Sequence, residues 1–351
     1  MLPHWKNLSV IRKVVQLLSF VFLVYGSVAV GHYSADKLSN ALPALACAYD
    51  INTADFCVLV PLQHQMDHRI GMAIQMGQWS LAVLTPFFIT IGTFFVLFVL
   101  LNKAFCGWIC PLGTFQELLT LIGQKLGLQR TDTLSEKAVR RIRPVKWLML
   151  GLLIIIFPLL TGLGYLGSEL GSAFCSICPS RIMTNLFIGN MDQLRIDTTS
   201  PGYMALSIIA DLMFGIILVL GLTLRQPFCR ICPMLALHAI FKKLGLVRLS
   251  KKYTPRCDKC GLCAKACPMD IREIHTSKKT DILFPDCTLC GRCVEFCPDE
   301  GVMAIQYVTF PLKVASPQYF KARNKAQKAW ESSNLLSWWN RRKQAAAEQE
   351  S

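Results

Sequence analysis

Cysteine is the residue type whose spacing carries most information in this chain. Sixteen are present, and eight follow one rhythm: Cys257-x2-Cys260-x2-Cys263-x3-Cys267-Pro268, then Cys287-x2-Cys290-x2-Cys293-x3-Cys297-Pro298. Three thiols spaced by two residues on a tight loop can wrap one side of a metal–sulfide core. Gly261 and Gly291 let the loop backbone approach that core closely. Pro268 and Pro298 end each loop and turn the chain away. A zinc module also uses four thiolates per metal, but it leaves the duplicated x2-x2-x3-Pro rhythm unexplained.

The rhythm is the spacing of bacterial two-cluster ferredoxins, in which the fourth cysteine of each run ligates the other cluster. Cluster I is then expected on Cys257, Cys260, Cys263 and Cys297, and cluster II on Cys287, Cys290, Cys293 and Cys267, each a [4Fe–4S] cube. Two such clusters close together make an electron relay rather than a catalytic centre.

Three further cysteine pairs each follow a phenylalanine and precede a proline: F-C-G-W-I-C-P at 105–111, F-C-S-I-C-P at 174–179 and F-C-R-I-C-P at 228–233. The first and third lie after long apolar runs and before a shared Lys-Leu-Gly-Leu, at 125–128 and 243–246, the pattern of an internal duplication. Cys106, Cys110, Cys229 and Cys232 can therefore converge as four thiolates for a third iron–sulfur cluster. Four buried free cysteines are the plainer alternative.

The elements that position these thiols are membrane spans. Hydrophobic residues make up 53% of the 351 positions, concentrated in runs at about 10–30, 81–101, 145–166 and 203–224. Each is long enough to cross roughly 30 Å of hydrocarbon as a helix. Arg12 and Lys13 ahead of the first run also fit a cleaved signal peptide, though the run is long and its cleavage site weak. The formal charge of +15 is carried by basic residues flanking the runs, which argues for topology and anionic lipid rather than nucleic acid. Lys6, Arg12, Lys13, Lys103, Lys125, Arg130, Lys137, Arg140, Arg141, Arg143 and Lys146 precede the first run or join the second to the third. Arg225, Arg230, Lys242, Lys243, Arg248, Lys251 and Lys252 follow the fourth. The positive-inside rule puts both termini and the ferredoxin region in the cytoplasm, with loops 31–80 and 167–202 outside. The expected organisation is a four-helix membrane domain over 1–252, a double-cluster α+β ferredoxin domain over 253–310 and a basic, Trp-containing tail over 311–351. The tail fits a helix lying on anionic lipid, or a disordered partner-binding segment.

The stretch 105–118, F-C-G-W-I-C-P-L-G-T-F-Q-E-L, resembles the cysteine-proline signature of the NapH/MauN/NosR group of membrane ferredoxin-type proteins. The resemblance covers about 81–308: spanning helices, paired Cys-Pro motifs and a trailing double ferredoxin. It implies a quinol-dehydrogenase or electron-transfer subunit of a bacterial inner membrane that feeds an extracytoplasmic reductase, beside other ferredoxin or cytochrome subunits. Cys229-Arg-Ile-Cys232 departs from the group's x3 spacing, which puts a symmetric cluster shared by the two copies in doubt, while the duplicated Cys-Pro context favours ligation.

The middle pair, Cys175 and Cys178, falls on the outer face by the charge argument, with Cys47 and Cys57. Disulfides, an outer metal site and free thiols all fit. His64, His68, Met72 and Met76 recur every four residues, which suits copper or haem, but an ordinary interfacial helix face is preferred. Asp211 inside the fourth run and Glu169 after the third are candidate proton acceptors for quinol, and His238 is a candidate quinone-pocket residue. An Asp211 paired with another polar group or reaching interfacial water, and a surface His238, are their alternatives. No G-x-G-x-x-G follows a strand and no phosphate loop occurs, so oxidation of a nicotinamide nucleotide by this chain alone is not expected. The leading function is membrane electron transfer between the quinone pool, or a cytoplasmic ferredoxin, and an extracytoplasmic redox partner. A maturation or metal-handling factor and a redox-sensing scaffold are the alternatives.

Overall fold

The computed structural model describes residues 8–29, 59–77, 80–128, 134–252 and 257–333. Among the described residues, four helical stretches are long and apolar enough to span a membrane: Leu8–Tyr25, Leu84–Leu101, Glu136–Gly162 and Pro201–Thr223. The expected integral membrane fold with four spans is therefore present. Most of their large apolar side chains face outward, for example Leu18, Phe88, Leu148, Leu212 and Val219. That is the reverse of a soluble bundle and is the pattern required by a hydrocarbon solvent. The inner faces meet in a core that includes Phe94, Phe98, Ile154, Phe214 and Ile217.

Each Cys-Pro motif starts a helix: Pro111–Leu126, Pro179–Phe187 and Pro233–Ile240. Proline suits the first helical position because its ring presets φ and its missing N–H would be unbonded there anyway. It also pushes the preceding cysteine into extended geometry, with ψ of 119° at Cys110 and 124° at Cys178 and Cys232.

The helices after the first and third motifs pack reciprocally. Helix Pro111–Leu126 of the first copy crosses the spanning helix of the second. Gly123 lies against the Leu222 backbone, and a Cβ on Gly221 would come 2.8 Å from Leu119. Helix Pro233–Ile240 of the second copy packs on the spanning helix of the first, where His238 and Phe241 meet Phe94 and Phe98. This exchange draws the two motifs to one place.

The ferredoxin module includes an antiparallel sheet of β1 (Val247–Lys251), β2 (Met303–Tyr307) and β3 (Phe310–Val314), ordered 1-2-3. β1 precedes the 253–310 segment and β3 runs on from its last residue, so the sheet draws in chain from both sides. Ala315 and Tyr319 join the module's core, and helix Pro317–Ser332 runs on from there. The first part of the expected tail is thus packed structure. Its Trp330 stacks under Lys125, whose Nζ lies 4.2 Å from the ring centroid. Trp338, Trp339, Arg341, Arg342 and Lys343 lie outside the described residues.

Candidate metal centres

The two ligand loops of the ferredoxin module have matching backbones. Lys259 and Gly261 flank Cys260 with φ of 49° and 74°, and Leu289 and Gly291 flank Cys290 with φ of 53° and 76°. Left-handed lysine and leucine are strained, and such strain persists where surrounding structure holds it. Alternating handedness turns successive amide groups toward one concave side, which favours an anionic guest. Cys257, Cys260, Cys263 and Cys297 line one small cavity with Lys251. Cys267 lies among the second loop: burial and the neighbouring charges of Cys290 and Cys287 push its thiol up to about 12. Cys293 is raised by burial and by Cys287, Cys290 and Cys267. Cys297 thus stands with the thiols of the first loop and Cys267 with those of the second.

Cys106, Cys110, Cys229 and Cys232 also come together. Burial, then Cys110, Cys232 and Cys229, push the Cys106 thiol up. Burial, then Cys110 and Cys232, do the same to Cys229. Cys110 and Cys232 each occupy the N-cap position of the helix that follows. Burial raises both thiols, and the nearby backbone N–H groups of Gly113 and Leu112, and of Met234 and Leu235, pull them back toward the thiolate, the form that ligates metal. Gln116 ties the copies together: its Nε2 donates to Cys229 Sγ at 3.5 Å, and its Oε1 accepts from Phe228 N at 2.9 Å. Among the described residues no three His, Cys, Asp or Glu side chains close around a single point. A cube binds each thiolate at a different iron, so its ligands stand apart by the width of the cube. The donor set and its burial fit iron–sulfur clusters at all three places.

The cradle of paired Cys-Pro motifs rests directly on the second ligand loop. A Cβ on Gly107 would strike Thr288 O and lie 3.1 Å from Cys290 Cα, so only glycine permits this approach. Trp108 Nε1 donates to Leu289 O at 3.0 Å. Lys103 Nζ donates to Phe284 O at 2.9 Å and Pro285 O at 2.6 Å. Burial pulls this ammonium down to about 8, against the opposing charges of Cys287 and Cys106.

Ion pairs fix the rest of the contact. Glu117 Oε1 accepts from Arg12 at 2.6 Å and from Arg292 at 2.8 Å, while Gln16 donates to its Oε2 at 3.1 Å. Desolvation opposes the charge, but the two guanidiniums win and hold Glu117 at about 2. Arg230 pairs with Asp270 at 2.6 Å, Arg143 with Glu273 at 2.6 Å and with Asp286 at 3.0 Å, and Lys146 with Asp286. Glu295 accepts from Ser9 and from Tyr319 OH. The starts of the first and third spans and the ends of the second and fourth thus all lie at the ferredoxin face. The first helix is built into this contact through Ser9, Arg12 and Gln16.

The sequence reading missed Gly107, Trp108, Gln116, Glu117 and Arg292, and took Arg12, Lys103, Lys146 and Lys251 only as flanking charge. Gln16 inside an apolar run, and Gln116-Glu117 inside an amphipathic one, were the available signals.

The other candidates are dispersed. Cys175 accepts from Gln63 Nε2 at 3.0 Å. Cys47 and Cys57 lie outside the described residues. His64 and His68 make an edge-to-face contact at 4.5 Å, and His68 lies 3.5 Å from Asp67. The segment between His64 and Met72, which holds His68, is a π-helix, Gln65–Gly71, so the four-residue spacing does not trace a regular α-helical face. This segment packs on the third span, where a Cβ on Gly71 would lie 2.6 Å from Gly162 Cα. Glu169 accepts from Ser200, the N-cap of the fourth span, at 2.7 Å, and that bond lowers its pKa. Asp211 lines an apolar groove of ≈ 650 Å³ with Ile196, Ile208, Leu212, Gly215 and Ile216. No ion pair to Asp211 is seen among the described residues, and its Oδ1 is buried without a hydrogen-bond partner there. His238 is buried, not a surface histidine. Its ring stacks on Phe105 and touches Phe94 and Phe98, and burial pulls its pKa to about 3, so it is neutral.

Comparison with known proteins agrees with this geometry. A family described as a 4Fe-4S binding domain matches twice, at residues 83–129 and 206–252, and these are the two Cys-Pro copies with their spanning helices. A 4Fe-4S dicluster domain matches residues 256–303. An uncharacterized protein of Methanocaldococcus jannaschii is 30% identical over 50% of this chain and 63% of its own. A putative electron transport protein, YccM of Escherichia coli, is 25% identical over 76% of this chain and 68% of its own. Ferredoxin-type protein NapH of Haemophilus influenzae is 25% identical over 48% of this chain and 49% of its own. The matched stretches thus span only about half to two thirds of these relatives' lengths. No solved structure matches. Fold and sites together define an iron–sulfur protein of the membrane. More narrowly, the chain is similar to the ferredoxin-type proteins NapH and MauN and to the regulatory protein NosR.

Proposed function

We propose that this chain is an electron relay holding three [4Fe–4S] clusters on one side of a membrane. Cluster I is held by Cys257, Cys260, Cys263 and Cys297, cluster II by Cys287, Cys290, Cys293 and Cys267, and a third by Cys106, Cys110, Cys229 and Cys232. Each cluster, when bound, supplies one-electron storage. The observation that carries the reading is the seating of the cradle loop on the second ligand loop through Gly107 and Trp108. It keeps the membrane-side thiols and the ferredoxin thiols in fixed contact, whereas a shuttling domain would need a loose one.

The redox partners are quinol in the membrane and an extracytoplasmic reductase, with the bacterial inner membrane as location. The ferredoxin face is cytoplasmic, since the basic flanks favour that side. The groove at Asp211 suits a quinol headgroup, with the carboxylate as proton acceptor.

The test is iron and acid-labile sulfide per chain, on protein purified without oxygen. About twelve irons are expected, falling to about eight in Cys106→Ser and Cys229→Ser. About eight in the wild type would make the Cys-Pro pairs structural. About sixteen would add an outer site at Cys175 and Cys178. Reduction of the clusters by duroquinol, slowed in Asp211→Asn, then checks the quinol assignment. Reduction at the wild-type rate in that variant would exclude Asp211.

A further inference from the structure

Two buried lysines stand out from the other buried cations. Arg12, Arg230 and Lys146 each meet a carboxylate. Lys103 and Lys251, 0% and 1% exposed, are held by main-chain carbonyls. Lys251 Nζ donates to Ile274 O at 3.0 Å and His275 O at 2.8 Å. Lys103 grips Phe284 and Pro285, two and three positions ahead of Cys287, in the same manner. Carbonyls satisfy the ammonium hydrogens but do not neutralise the charge, and a buried charge without a counter-ion is strongly disfavoured.

The strongest opposing charges on Lys103 are those of Cys287 of the second loop and Cys106 of the cradle, ahead of Asp286, which is already paired with Lys146 and Arg143. Lys251 lines the cavity of Cys257, Cys260, Cys263 and Cys297. We infer that Lys103 and Lys251 are built-in counter-charges that set the reduction potentials of the thiolate-held clusters. Lys103 serves the cradle and the second loop together, and Lys251 serves the first loop. This rests on the cluster reading above.

A cube with four thiolates is already anionic. Reduction adds one electron, forms and breaks no bond, and makes the site one charge more negative. A fixed cation alongside therefore favours the reduced form and raises the potential. Both lysines act as positioning charges and touch no substrate.

The experiment is an anaerobic redox titration of the full chain in detergent, with dithionite as reductant and electron paramagnetic resonance as readout. Iron is counted in the same samples. In Lys103→Met, the signals that disappear in Cys106→Ser and Cys290→Ser should lose at least tenfold in reduced-to-oxidised ratio at fixed potential, or 59 mV for a one-electron couple. The signal that disappears in Cys260→Ser should stay in place. Lys251→Met should give the opposite pattern, and Lys103→Arg should restore the wild-type midpoints. Full iron with every midpoint within threefold of wild type overturns the inference. So does an equal shift of all signals by either variant. If Lys103→Met fails to assemble, Lys251→Met and Lys103→Arg decide by the same criteria. A wild type without the expected iron overturns the cluster reading itself, a result distinct from full iron with unmoved midpoints.

Discussion

Cys287, Cys290 and Cys293 share one loop, and their geometry is local: a left-handed leucine, a left-handed glycine and a short helix. Cys106 and Cys229 belong to different copies of a duplicated unit and meet only because each copy's trailing helix packs on the other copy's span. Both regions gather four thiols. The first depends on turn chemistry and the second on helix packing, so they should fail differently when perturbed. The seam between them is polar and close-fitting, and it decides whether the two act as one unit.

The largest effect at that seam is expected from Glu117→Gln. It leaves Arg12 and Arg292 without their shared anion in a buried site, at a cost of about 3–5 kcal/mol. Thermal unfolding in detergent should show the loss, with faster protease release of the ferredoxin module. A wild-type melting temperature would mean that the two regions are held independently of Glu117. The same carboxylate sets a pH dependence. Its folded pKa, about 2, lies below the ordinary 4.5. The stabilisation is therefore complete above about pH 4.5 and is lost as pH falls through 2, amounting to about 3 kcal/mol. An acid titration in which wild type and Glu117→Gln converge at low pH would bear this out, and parallel curves would refute it.

Gly107→Val ranks next. The new side chain must push the cradle loop off Thr288 and Cys290, with overpacking costing about 1–3 kcal/mol. Magnetic coupling between cradle and second-loop signals should weaken while iron content holds. Unchanged coupling would show that the seam adapts without separating the thiols. The smallest effect is expected from Trp108→Phe, which keeps the ring packing and removes the hydrogen bond to Leu289 O, for about 1 kcal/mol. A drop in stability much beyond that would assign the indole more than one hydrogen bond.

The spans were legible because hydrocarbon demands a long apolar run, and 81–101 and 203–224 read as runs and became helices. The crossed ligand groups were expected from the likeness to the two-cluster ferredoxin rhythm, and the chain brings Cys297 to the first loop and Cys267 to the second. The basic residues were legible only as flanking charge. Lys103, Lys146, Arg230 and Arg12 each satisfy a topology count, and none of those counts says that the same charge is buried against a second domain. The His64–Met76 spacing misled for a related reason, since helical periodicity assumes an α-helix and the chain forms a π-helix there.

What the sequence determined by itself is therefore chemistry tied to short range: which thiols share a loop, where prolines start helices, and which segments belong in lipid. What only the tertiary structure decided is which distant groups face each other: Gln116 with Cys229, Gly107 with Cys290, Glu117 with Arg12 and Arg292, and Lys103 between two sets of thiols. Spacing reports the neighbours a residue must have through its own turn or helix. The partner across a packed seam is chosen by shape and desolvation, which neither residue reveals alone.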